Sequence, residues 1–306
     1  MKIIFIGTTK FGIPTLEILN TKYQILAVIT QPDQPVGRKK TITPPPIKVW
    51  AQKNGIPVLQ PEKLSDTRNQ ITDIMPDLLL VAAYGQLIPK EILDIPKYGS
   101  INVHGSLLPK YRGASPTQTA ILNGDKTTGI TLFLMDEKLD HGPVIAQQTL
   151  TIDDHTSYLS LYKRLSETSA GLVSKTLPQW FAGQIKPIPQ DENQASYTKI
   201  FSWQDGRIDW TKKASEIEKK ILSLNPEPGT WTTYINKSVK ILEVIELRDQ
   251  NPTGLAGKIS QRNKQMIVQC KTCSLIIVKL QPEGKKPMPG ADFLNGLKDK
   301  QNAIFI

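Results

Sequence analysis

Asn102 and His104 stand two residues apart in an otherwise apolar run, Ile101-Asn102-Val103-His104, followed at once by Gly105-Ser106-Leu107-Leu108-Pro109. Side chains at i and i+2 share one face of a strand, so this amide and this imidazole point the same way. The pair suits acyl transfer. An amide N–H stabilises an oxygen that gains negative charge, and an imidazole moves protons near neutral pH. A carboxylate beside the ring would hold it and favour its cation. The polar stretch Met135-Asp136-Glu137-Lys138-Leu139-Asp140-His141-Gly142 offers Asp140, with Asp136 and Glu137 as competitors. His141 ranks behind His104, because no amide shares a strand face with it. Ser106 is not a hydrolase nucleophile, since Gly105 directly precedes it and the G-x-S-x-G elbow is absent.

Other motifs fall short of the chemistry they suggest. Gly7-Thr8-Thr9-Lys10-Phe11-Gly12 lacks the middle glycine of a dinucleotide fingerprint, and Ile13 follows Gly12 where a P-loop needs Lys. It is expected to be a tight strand-to-helix turn, which leaves Asp33 a weak candidate for a ribose-binding acid. Cys270-Lys271-Thr272-Cys273 is a C-x-x-C without two further soft ligands. It lies between two strand-like runs, so a hairpin is expected and no metal.

These residues need a frame. Short β-branched runs at Lys2–Ile6, Ile25–Thr30, Leu78–Ala83, Ser100–Val103, Gly129–Met135 and Val144–Ile152 alternate with helical spacing at Phe11–Leu19 and Ile47–Lys53. That alternation predicts an α/β domain with a doubly wound, mostly parallel sheet of Rossmann-like type. Functional loops then belong at the carboxyl ends of its strands. Tyr158, Leu161, Leu165, Leu172, Leu177 and Phe181 recur near a 3.6-residue period, which predicts one long helix. After Asp205-Gly206 a helix near Ala214–Leu224 precedes five short strand-like runs, which suggests a small β-barrel. The expected division is a catalytic domain at 1–188, a linker at 189–205 and a barrel domain at 206–306.

The chain has 306 residues, 38 Lys+Arg, 28 Asp+Glu and a formal charge of +10. Residues 1–188 hold 20 basic and 15 acidic groups, 189–205 hold 1 and 3, and 206–306 hold 17 and 10, so the excess is greatest in the second domain. A polyanionic partner is expected. Two cysteines fit a reducing compartment. No apolar run approaches the roughly 20 residues of a membrane helix, and the apolar start stops at Gly7. A cytoplasmic protein without a membrane partner is expected.

Asn102-x-His104-x-Ser106-Leu107-Leu108-Pro109-x-x-Arg112-Gly113, with Asp140 in the later loop, resembles the folate-dependent formyltransferases. Gln31-Pro32-Asp33-x-Pro35-x-Gly37-Arg38 is similar to the tRNA-acting members, as are Ala82-Ala83-Tyr84-Gly85, Arg207-Ile208-Asp209-Trp210 and Leu280-Gln281-Pro282-x-Gly284-Lys285-Lys286. The likeness runs from the first strand to about Leu294. It implies transfer of the formyl group of 10-formyltetrahydrofolate to the α-amino group of methionine on initiator tRNA. It further implies that Asn102, His104 and Asp140 are catalytic. Folate would lie against Tyr84, Gly85, Gln86, Leu87 and Ile88, the turn Ser106, Leu107, Leu108 and Pro109, and Asp136. Arg38, Lys39 and Lys40 would meet the tRNA acceptor end. The second domain would be an OB-like, tRNA-contacting barrel, and the chain a monomer.

A sugar-nucleotide N-formyltransferase would share the catalytic residues, but two phosphates need no extended basic surface. A non-catalytic RNA-binding protein would explain the charge and leave Asn102, His104 and Asp140 without purpose. A nicotinamide-dependent dehydrogenase fails on the glycine pattern.

Overall fold

The computed structural model describes residues 1–37, 40–247 and 254–306. Its first strands are β1 (Lys2–Gly7), β2 (Gln24–Ile29), β3 (Gln34–Val36), β4 (Thr41–Thr43), β5 (Val58–Leu59), β6 (Leu78–Ala82), β7 (Ser100–His104), β8 (Thr127–Leu134) and β9 (Val144–Thr151). Seven of them make one sheet in the order β5-β2-β1-β6-β7-β8-β9, while β3 and β4 pair only with each other. The five strands from β5 to β7 are parallel. Consecutive residues of β1 and β6 are buried, as a sheet covered on both faces requires. Ile4, Ile6, Ala27, Ile29, Leu79 and Val81 pack against Leu64, Ile71, Ile88 and Ile92 in one core.

One strand reverses. β8 is antiparallel to both its neighbours, β7 and β9, so β9 again runs with the parallel strands. Only residues 135–143 separate β8 from β9, too few for a parallel crossover, which needs a dozen or more residues. The reversal moves the end of β8 to the foot of β7, where Leu134 pairs with Ile101 and Met135 N–H donates to the Ser100 carbonyl.

The glycine turn is a packing device. A Cβ on Gly7 would lie 2.6 Å from the Ala82 carbonyl, and one on Gly12 would lie 2.6 Å from the Phe5 ring. Asp33 is held by Lys48 Nζ at 2.8 Å and Gln60 Nε2 at 2.7 Å. Those hydrogen bonds, Gln60's first, hold its carboxyl below the ordinary range.

Contacts divide the chain into two units. The first is Met1–Pro116, Thr127–Thr151 and Leu159–Lys199; the second is Thr117–Lys126, Ile152–Tyr158 and Ile200–Ile306. The stretch expected as a linker, 189–205, is therefore split between them. Residues 189–199 belong to the first unit because their backbone pairs with the turn after β7: Arg112 N–H donates to the Ser196 carbonyl and Thr198 N–H to the Arg112 carbonyl, both at 2.8 Å.

The second unit holds β10 (Thr230–Tyr234), β11 (Lys237–Leu247), β12 (Ile259–Arg262), β13 (Gln265–Gln269), β14 (Ser274–Pro282) and β15 (Met288–Pro289). They form one antiparallel sheet, β10-β11-β14-β13-β12, with β15 on β14. Its two edges are joined by the chain terminus. Ile306 exchanges two hydrogen bonds with Thr233, Ile259 N–H donates to the Ala303 carbonyl, and Phe305 N–H to that of Gly257. Residues 303–306 thus link the two edge strands, β10 and β12, into a small barrel. Trp210, Ile217, Ile221, Val239, Ile241, Met266, Val268, Leu275 and Phe305 fill it. The cysteines sit in the β13–β14 hairpin, where Cys270 N–H donates to the Cys273 carbonyl at 3.0 Å. Burial pushes the Cys270 thiol up to about 12, so it is an inert core residue.

Candidate active site

The catalytic candidates meet above β7. Asp140 Oδ1 lies 3.4 Å from Asn102 Nδ2, and Asp140 Oδ2 lies 3.6 Å from His104 Nδ1. His104 is 6 % exposed. Its Nε2 faces the Tyr111 carbonyl at 2.9 Å, so the ring is pinned between two oxygens. Asp140 Oδ2 also accepts the Gly113 N–H at 2.7 Å. The loop after β8 must climb back along the sheet to make these contacts, and Asp140 adopts a left-handed φ of 47° in doing so.

All three histidines of the chain face carboxylates. His141 Nδ1 lies 2.6 Å from Asp136 Oδ2, and His155 Nδ1 lies 3.1 Å from Glu218 Oε1. A carboxylate neighbour alone therefore does not single out a catalytic imidazole. His104 differs in being buried at a strand end beside an amide.

The turn after β7 is tied internally. Ser106 Oγ donates to the Lys110 carbonyl at 2.6 Å, and Thr131 Oγ1 donates to the Ser106 carbonyl at 2.6 Å. Leu108 N–H donates to Thr131 Oγ1, and Gln147 Nε2 to the Leu108 carbonyl. Leu108 is buried, while Leu107 and Pro109 are half-buried. This turn is a rigid wall whose Ser106 hydroxyl is already spent.

The loop after β6 is anchored at the Tyr84 carbonyl, which accepts from Thr8 Oγ1 at 3.0 Å and Gln31 Nε2 at 2.8 Å. Gly85 has a φ of 83°, and a Cβ there would stand 3.1 Å from Gln31 Nε2. Tyr84 and Ile88 point into the core, whereas Gly85, Gln86 and Leu87 are exposed. Burial raises the Tyr84 phenol above its ordinary value.

Asp136 accepts from Lys138 N–H at 2.9 Å and pairs with His141. It lines a cleft of ≈ 390 Å³ with Lys90, Leu93, Asp94, Met135 and His141. Among the described residues no group of three or more His, Cys, Asp and Glu could hold a metal, and no helix is long and apolar enough to cross a membrane. Of the basic loop, Arg38 and Lys39 lie outside the described residues; Lys40 begins the return into β4 with a φ of 47°.

Sequence reasoning missed Gln190 and Glu192. Gln190 Nε2 donates to the carbonyls of Asp140 and Gly142 at 2.9 and 2.8 Å. Glu192 Oε1 stands 3.4 Å from His141 Nε2. Both lie in the stretch expected as a linker, roughly fifty residues beyond the loop they touch, so no local spacing marks them.

An α/β sheet that gathers an amide, an imidazole and a carboxylate at one strand end defines a class, and comparison with known proteins agrees. The chain belongs to the formyl transferase family: that family model matches residues 1–177, and the model for the formyl transferase C-terminal domain matches residues 201–298. It is similar to the methionyl-tRNA formyltransferase of Bacillus velezensis, 42% identical over 300 residues, 96% of this chain and 94% of the relative. The enzymes of the same name from Halalkalibacterium halodurans and Citrifermentans bemidjiense are 42% and 41% identical, each over 97% of this chain and over 95% and 94% of their own. Among solved structures, an N-formyltransferase from Helicobacter canadensis, in complex with folinic acid and dTDP-3-aminofucose, superposes with a TM-score of 0.69 over 92% of this chain and 99% of its own, at 18% identity. The sugar 3N-formyl transferase WlaRD gives 0.67 over 94% and 99% at 20% identity. Likeness at that distance shows the shared fold.

Proposed function

We propose that this chain transfers the formyl group of 10-formyltetrahydrofolate to the α-amino group of methionyl-initiator tRNA, giving N-formylmethionyl-tRNA for translation initiation. The observation that carries this is identity of 41–42% along almost the whole chain to enzymes that bear that name. Translation places such an enzyme in the cytoplasm. One copy holds Asn102, His104 and Asp140 together, so a monomer suffices.

The residues present fit a folate. The cleft lined by the loop after β8 has apolar walls in Leu93 and Met135 for the flat face of a ring, and Asp136 and Lys90 for its polar edge. Its size falls within the roughly 300–1,000 Å³ of small-molecule sites. Bound there, the folate supplies the formyl carbon.

The chain's own groups then divide the work. Asn102 has two amide N–H groups; one faces Asp140, and the other is free to stabilise the oxygen on which charge develops. His104 shuttles the proton that the attacking amine releases, and Asp140 orients the ring. An α-amino group titrates near about 7.7–8.0, so an uncharged attacking amine needs no strong base.

Residues 206–306, which carry 17 basic and 10 acidic groups, supply a tRNA-facing element. Trp203 and Trp231 stack with ring centroids 5.2 Å apart and planes within 1°. Each ring carries a cation: the Arg207 guanidinium is 5.7 Å from Trp231, and Lys240 Nζ is 5.2 Å from Trp203. A cation already held on an aromatic face loses less freedom on meeting a phosphate. Arg207→Ala and Lys240→Ala are each expected to reduce the slope of log K against log salt for tRNA binding by roughly 0.7–0.9. A slope unchanged in the double variant would remove the stack from the interface.

A further inference from the structure

Arg112 is the largest fully buried side chain among the described residues, at 1 % exposure. It follows the catalytic turn directly, where an arginine would ordinarily be taken for a substrate-binding cation. Its donors exclude that. Nε and Nη2 donate to Gln190 Oε1 at 3.2 and 2.9 Å. Nη2 and Nη1 donate to Glu192 Oε1 and Oε2 at 2.6 and 3.0 Å. Nη1 also donates to Tyr197 Oη at 3.1 Å. A guanidinium has five N–H groups, and these five bonds consume them. The pairing with Glu192 holds the guanidinium above and the carboxylate below its ordinary range, so both stay charged.

The residues around Arg112 touch the reacting groups on every side. The carbonyl of Tyr111 faces His104 Nε2, and the N–H of Gly113 donates to Asp140 Oδ2. Gln190, which accepts from Arg112 through Oε1, turns its Nε2 to the carbonyls of Asp140 and Gly142. Asp140 itself sits in the left-handed region that L-residues rarely adopt. Such a conformation persists only where the surroundings over-determine it.

We propose that Arg112, Gln190 and Glu192 form a bracket of positioning residues for formyl transfer, with Gln190 passing its restraint to Asp140 and, through the Arg112 backbone, to His104. The bracket sets where the carboxylate and the ring stand, and residues 189–199 exist to close it. This role presupposes the formyl transfer proposed above.

Gln190→Glu tests the bracket. The variant keeps an oxygen for Arg112 and replaces the N–H₂ that faces two carbonyls with another oxygen. Turnover is expected to fall about 10–100-fold while KM for tRNA and for folate stays within about threefold. The ring signals of His104 in histidine-labelled protein should move, with those of His155 unmoved. Gln190→Ala carries the same expectation should the glutamate variant fold poorly. Turnover within about twofold of the parent with His104 signals unmoved would overturn the proposal. So would a loss that tracks the unfolded fraction and moves all three histidines together. If the parent chain itself fails to formylate Met-tRNA, the functional proposal falls, while the His104 signals still report whether Gln190 positions the ring.

Discussion

His104→Ala is expected to lower kcat for formyl transfer by about 10³-fold, within the range for loss of a positioned general acid–base. The ring is the proton-moving group that Asn102 and Asp140 surround, and nothing else in the turn replaces it: Ser106 Oγ is spent on the Lys110 carbonyl. Because the imidazole lies in the first unit and is 6 % exposed, tRNA affinity should change by no more than about twofold, which places the loss in the transition state rather than in binding. His141→Ala is the control. His141 pairs with Asp136 and approaches Glu192, whereas Asp140 bridges Asn102 and His104. Single-turnover formylation by the two variants separates them. A dead His141→Ala enzyme beside an active His104→Ala enzyme would reverse the assignment of the site.

Gly142→Ala is expected to be nearly as damaging, for a reason of shape rather than chemistry. A Cβ at Gly142 would stand 1.8 Å from the Leu134 carbonyl oxygen, a backbone atom fixed at the end of β8. The loop must shift to admit it, and Gly142 is two residues from Asp140 and holds one of Gln190's two bonds. Displacing a reacting group by about 1 Å costs roughly 10²-fold in rate, and the overpacking itself costs about 1–3 kcal/mol. Rapid-quench rates and a urea melt measure the two effects. Full activity in the alanine variant would mean that the loop's position does not matter.

Much of the frame is legible from local pattern. The helix at Ala214–Leu224 and strand β13 fall where the spacing puts them, because an amphipathic helix and a short buried strand declare themselves within their own length. Asn102 and His104 are legible together because the period of a strand is two. The antiparallel pairing of β8 with β9 could also be read, since residues 135–143 are too few for a parallel crossover. Two features could not. Residues 303–306 close the barrel with a handful of backbone bonds, which no side-chain pattern announces. The stretch 189–199 is aperiodic and polar, so it reads as a linker, yet its Gln190 and Glu192 pair with Arg112 at separations of 78 and 80 residues. The sequence motif contains Arg112; only the fold shows that its five donors face inward.

Purified protein with 10-formyltetrahydrofolate should be offered charged initiator Met-tRNA in one reaction and a nucleotide-linked amino sugar in another, each followed by the appearance of the formylated product. The expected result is N-formylmethionyl-tRNA in the first and no product in the second. Formylation of the amino sugar with Met-tRNA left untouched would contradict the assignment and leave the basic excess of residues 206–306 without its partner.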